Sequence, residues 1–145
     1  MDAAKHFLEA GRVITIFPEG TLTRDPDGWP MKGRPGTVRL ALDMNVPIIP
    51  MGQWGTEAIM PTYGKKFLPQ PWHSCRIVIG EEVNLDKYRG RKLTNAELLE
   101  ATDLVMQEIL KLTAEVRGEK APAQLYDPRA EGQSTKGNFK KEAKQ

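Results

Sequence analysis

At 145 residues, with 39% apolar and 28% charged side chains, the chain has the size of one ordinary domain and can bury roughly two-thirds of its unfolded surface. Its formal net charge is +2, a surplus carried by the segment from Gly118 to Gln145, so the first 117 residues are neutral overall. This excludes the domain-wide basic field of a nucleic-acid binder.

In chain order, "MDAAKHFLEAG" predicts a short helix closed by Gly11. "RVITIF", Arg12 to Phe17, is almost continuously apolar after its first residue, the pattern of a strand buried on both faces of a parallel sheet. A Pro-, Gly- and Asp-rich loop from Pro18 to Pro30 follows. "GTVRLALDMN" then places Val38, Leu40, Ala41 and Leu42 toward a core at helical spacing, with Asn45 to close the helix. "VPIIPM" is a second apolar strand. Pro47 and Pro50 each remove a ladder donor, so it should be short or lie at a sheet edge. Strand, loop, helix and strand make a βαβ unit with a right-handed crossover.

From Gly52 to Ser74 no period is sustained, which predicts a long surface excursion. "CRIVIGEEVNL" returns to strand, with alternation around Ile77 and Ile79. Thr94 and Glu97 form a capping box at the start of a long helix, worth about 1 kcal/mol, and Leu98, Val105, Ile109, Leu112 and Val116 line one face. Residues 118–145 have little apolar content and read as a disordered tail behind a domain at 1–117. Cys75 is the one cysteine, expected to be a small buried side chain in a reducing compartment. No apolar run approaches the 18 or so residues that span a bilayer, and the amino terminus reads as lacking a signal-peptide core.

The segment "FPEGT", Phe17 to Thr21, carries the chemistry. A loop leaving the carboxyl end of a parallel strand for a helix is where open α/β sheets bind ligands. Gly20 lets an anion approach the main chain, and Thr21 adds a hydroxyl. Arg24, Lys32 and Arg34 follow as basic partners. Glu19 would repel an anion, so its role is to pair with a base or to hold the turn through backbone N–H groups. An ordinary acidic turn with solvated basic neighbours explains these features equally well.

"IFPEGTLTRD" resembles the Phe-Pro-Glu-Gly-Thr block of the glycerolipid acyltransferases, which include 1-acylglycerol-3-phosphate acyltransferase, and "VPIIPM" resembles that family's later Val-Pro block. "KGRPGTVRLAL" between them resembles the helix-opening stretch, so the similarity runs from about Gly11 to Leu112. It implies a partial α/β domain, with a mostly parallel sheet and flanking helices as in glycerol-3-phosphate acyltransferase. It also implies transfer of an acyl chain from acyl-CoA or acyl carrier protein to the free hydroxyl of 1-acyl-glycerol-3-phosphate in phospholipid synthesis. That chemistry uses no cofactor and no metal beyond the acyl co-substrate. The expected setting is cytoplasmic, peripheral on the inner face of the cell membrane, with a lysophosphatidate-type acceptor and no nucleic acid as partners.

The substrate-binding residues implied are Glu19, Gly20, Thr21, Arg24, Lys32 and Arg34. The family has Arg directly after the Thr, where this chain has Leu22, and Arg24 is the nearest replacement. The family's His-x-x-x-x-Asp block, whose His is general base and whose Asp orients it, has no counterpart: five residues after His6 stands Gly11, and five after His73 stands Val78. The chain therefore resembles the carboxyl-terminal part of an acyltransferase domain, with no catalytic residue of its own. The alternative expectation is a non-catalytic fragment that binds phosphate or phospholipid head groups. An RNA-associated role for the basic tail is disfavoured without a stacking platform, and a P-loop by the lack of its Gly-Lys-Ser/Thr signature. Trp54, Tyr63 and Lys65 are further residues that could shape an acyl or acceptor site.

Overall fold

A computed structural model describes residues 2–59 and 74–133. The elements in order are α1 (Asp2–Glu9), α2 (Gly36–Met44), β1 (Met51–Trp54), α3 (Thr56–Ile59), β2 (Arg76–Ile79), a 3-10 turn at Asp86–Tyr88, and α4 (Asn95–Arg117).

α4 organises the molecule. Thr94 caps it as the sequence predicts: the Thr94 hydroxyl accepts from the Glu97 N–H at 3.2 Å, and the Glu97 carboxylate accepts from the Thr94 N–H at 2.9 Å. Leu98, Ala101, Thr102, Val105, Met106, Leu110, Thr113 and Val116 form its buried stripe. The two threonines fit that stripe because their hydroxyls return to the carbonyls of Leu98 and Ile109. Ile109 and Leu112, expected on this face, flank it half-buried. One end of the stripe packs with Val38 of α2, Val83, Leu85 and Tyr88; farther along, Met106 and Leu110 pack with Trp29 and Leu125.

α2 forms where expected, burying Val38, Leu40 and Ala41, and Asn45 closes it in the left-handed region at φ 51°. β1 and β2 pair antiparallel, with Met51 opposite Ile79 and Gln53 opposite Ile77. One face of this ribbon lies on α4 so closely that a methyl group at Gly52 would collide with the backbone of Leu112 and Thr113. Met51, Ile77 and Ile79 are on the opposite face and are exposed.

The described residues do not show the mostly parallel sheet or its βαβ unit. The one sheet among the described residues is the two-stranded antiparallel ribbon. Residues 13–16 form no backbone hydrogen bond to any other described residue. Segment 46–50, the partner the sequence suggested, instead receives the N–H groups of Gly80 and Val83 at its Pro50 and Ile48 carbonyls, and Pro47 and Pro50 have no N–H to donate. Val13 and Phe17, expected in a doubly covered strand, are 94% and 67% exposed.

Cys75 is also exposed rather than buried, since it lies just before β2, outside the α4 interface. Residues 119–133 differ from the disordered tail expected from Gly118. They run back beside the Pro18–Arg34 loop, where Leu125 is buried and Tyr126 bridges Met31 in parallel fashion. Leu125 anchors the segment on a core that the rest of the chain supplies, and polar contacts from Lys32 to Tyr126 and Asp127 hold it beside the loop. Tyr63, Lys65 and His73, and the tail from 134 onward, lie outside the described residues. Among the described residues, no helix is long and apolar enough to cross a membrane.

Candidate functional site

The loop from Pro18 to Arg34 closes on itself. Its ends are joined where the Arg34 N–H donates to the Pro18 carbonyl at 2.8 Å, and the turn at its start is closed by the Gly20 N–H on the Phe17 carbonyl at 3.0 Å. Gly20 sits at φ 67°, where a side chain is strained, and the Arg34 stem lies over it: a Cβ at Gly20 would stand 3.3 Å from Arg34 Cδ and Nε. Thus Gly20 and Arg34, fourteen residues apart, share one spot beside Thr21.

Glu19 takes the second of the two roles the sequence allowed it. Its Oε2 accepts from the Met31 N–H at 3.2 Å and so ties the two limbs of the loop together. Burial pushes its carboxyl up to about 7; the Met31 hydrogen bond opposes that rise, and the charge of Asp25 adds to it. Near neutral pH about half of these carboxyls are therefore protonated, which weakens the repulsion an incoming anion would meet.

The tip of the loop is built by local side-chain hydrogen bonds. Asp25 Oδ1 accepts from the N–H groups of Asp27 and Trp29 at 2.9 and 3.0 Å, and the Thr23 hydroxyl donates to the Trp29 carbonyl at 2.6 Å. These bonds turn Trp29 inward onto Met106, Leu110 and Leu125.

The three basic candidates have different fates. Arg34 is exposed above Gly20, as an anion ligand should be. Lys32 is turned toward the carboxyl-terminal segment: its amine pairs with Asp127 at 3.2 Å and its N–H donates to the Tyr126 carbonyl. Arg24 is buried, with 6% exposure, while Leu22 points outward at 58%. Arg24, the nearest replacement for the family's Arg, thus lies inside the fold. Trp54 is on β1, its ring against Gly28 of the loop, so it shapes the loop from outside.

Sequence reasoning missed Arg117 and Tyr126. Both reach the loop from distant parts of the chain, and neither belongs to a motif or a periodic stripe. The arrangement offers an anion two kinds of partner at one place, a guanidinium and a left-handed backbone turn. It offers no general base: His6 is exposed on α1, and no group of three or more His, Cys, Asp or Glu suited to a metal occurs among the described residues.

No curated protein and no solved structure matches the chain. A family model described as Acyltransferase matches residues 1–54, which include the whole Pro18–Arg34 loop and α2, and stops short of the Leu112 to which the resemblance had been extended. Over residues 1–54 the chain is thus similar to the acyltransferase family, consistent with a glycerolipid acyltransferase.

Proposed function

We propose that the Pro18–Arg34 loop anchors the phosphate of a 1-acyl-glycerol-3-phosphate acceptor, in an acyltransferase that takes its acyl chain from acyl-CoA or acyl carrier protein. The supporting observation is the placement of the exposed Arg34 guanidinium over the left-handed turn at Gly20, inside the segment that matches the family. In the transfer, the acceptor hydroxyl attacks the thioester carbonyl, the carbon–sulfur bond breaks, and the hydroxyl proton passes to a base. This chain's share is to hold the phosphate, so that the hydroxyl is presented in one orientation. The exposed side chains of Val13, Phe17 and Leu22 beside the loop support work at a membrane surface, peripheral to the cytoplasmic leaflet.

A second function, phosphate or head-group binding without turnover, is favoured by one specific observation: neither His6 nor His73 is followed by an Asp at the fifth position. Loss of a positioned general base lowers a rate about 10²–10⁴-fold. The two are separated by incubating the protein with lysophosphatidate and labelled acyl-CoA while measuring lysophosphatidate affinity. Acyltransferase action predicts labelled phosphatidate, and the alternative predicts affinity without product. Arg34→Ala should weaken binding about tenfold to a hundredfold in either case, the usual worth of a charge-assisted contact. Absence of lysophosphatidate binding in the parent protein would refute both.

A further inference from the structure

α4 ends at Arg117, and its side chain is directed into the back of the loop rather than into solvent. The guanidinium carbon lies 3.8 Å from the ring centre of Trp29 and 3.9 Å from that of Trp54. Nη1 donates to the Asp27 carbonyl at 3.0 Å, and Nε and Nη2 both reach the Glu119 carboxylate, at 3.1 and 2.6 Å. The side chain is 7% exposed. A planar group over two rings and donating from three nitrogens has no rotational freedom left.

These contacts join four separate parts of the chain: the loop tip, β1, the end of α4 and the segment behind it. Trp29 is the relevant partner, because its carbonyl accepts the Thr23 hydroxyl. Whatever fixes Trp29 therefore fixes Thr23, two residues from Thr21. Trp54 completes the grip from β1, with its ring packed on Gly28.

We infer that Arg117 is a positioning residue for the phosphate-anchoring loop: by locking Trp29 and the Asp27 carbonyl to α4 it holds the Glu19–Thr23 limb in register with Arg34. The inference rests on the function proposed for that loop. Arg117 itself touches no acceptor; it acts through Trp29 and Thr23.

The test compares Arg117→Met and Arg117→Lys with the parent chain in hydrogen exchange of the loop and α4 amides and in affinity for short-chain lysophosphatidate. In Arg117→Met, which keeps an apolar stem, loop amides at Asp27 and Trp29 should exchange about tenfold faster while those at the middle of α4 keep their protection. Lysophosphatidate affinity should fall about tenfold. Arg117→Lys should restore neither, because an ammonium cannot lie flat on two rings and donate to Asp27 and Glu119 together.

Loop exchange equal to that of the parent, or a loosened loop with unchanged affinity, would overturn the inference. Should Arg117→Met fail to fold, Trp54→Leu removes one ring and leaves the hydrogen bonds. It should show the same pattern more weakly, and a loop unchanged in exchange and affinity there also overturns it. A parent chain that does not bind lysophosphatidate defeats the functional proposal by itself, whereas the exchange rates report the clamp without any ligand.

Discussion

Glu19 is the residue on which pH acts most directly. Its carboxyl is raised from an ordinary 4.5 to about 7 by burial, so between those values the folded chain keeps a proton that the unfolded chain has released. The stability contributed in this way is fully present below about 4.5 and is lost as pH rises through about 7. Glu19→Gln can still accept from the Met31 N–H but does not titrate. Thermal melts at pH 5 and pH 8 should therefore show a smaller pH difference in this variant than in the parent, with the gain at pH 8. An undiminished difference would place the titration elsewhere. The same ionisation brings negative charge to the loop, so lysophosphatidate affinity should fall above pH 7 in the parent and less in Glu19→Gln, as titration calorimetry across that range would show.

At the scale of elements, α4 and the ribbon on it hold the fold. Thr94→Ala removes the cap hydroxyl and should destabilise the chain by about 1 kcal/mol in urea denaturation. Glu97 is held well below the usual carboxylate range, at about 2, by the Thr94 N–H first and by Arg91 and the Thr94 hydroxyl next. Its contribution is present above about 4.5 and is lost as pH falls through about 2, so the Thr94→Ala deficit should shrink in acid. Gly52→Ala tests the ribbon contact. The new methyl group meets backbone that cannot rotate away, so the expected loss is about 1–3 kcal/mol, with β1 displaced from α4.

α2 and α4 were legible in the sequence because their signals are local: a cap, a stop residue and a three-four repeat within one segment. The sheet was not. An apolar run such as Val13 to Phe17 states what a strand needs, namely cover on both faces, and says nothing about whether a partner with free N–H groups stands beside it. The site divided in the same way. Gly20 and Glu19 act through the turn they belong to and could be read, whereas the inward Arg24 and the distant Arg117 depend on packing between segments far apart in the chain.

For the molecule as a whole, the consequence is a body with α4 at its centre and apolar side chains left at its surface. Val13, Phe17, Met51, Ile77 and Ile79 are all exposed, and residues 13–16 make no backbone–backbone hydrogen bond among the described residues. Such a surface invites association. Val13→Lys and Ile77→Lys should each slow aggregation in light scattering while changing stability by no more than about 0.5 kcal/mol, as surface substitutions do. Faster aggregation or a large stability loss would show that these side chains are covered in solution. The phosphate-anchoring loop is the central functional claim, and calorimetric titration tests it most directly. The ligands are short-chain lysophosphatidate and the matching monoacylglycerol without phosphate, each with the parent chain and with Arg34→Ala. Saturable binding that requires the phosphate and weakens at least about tenfold in Arg34→Ala is the predicted result. Equal affinity for both ligands, or an Arg34→Ala variant that binds as the parent does, would contradict it.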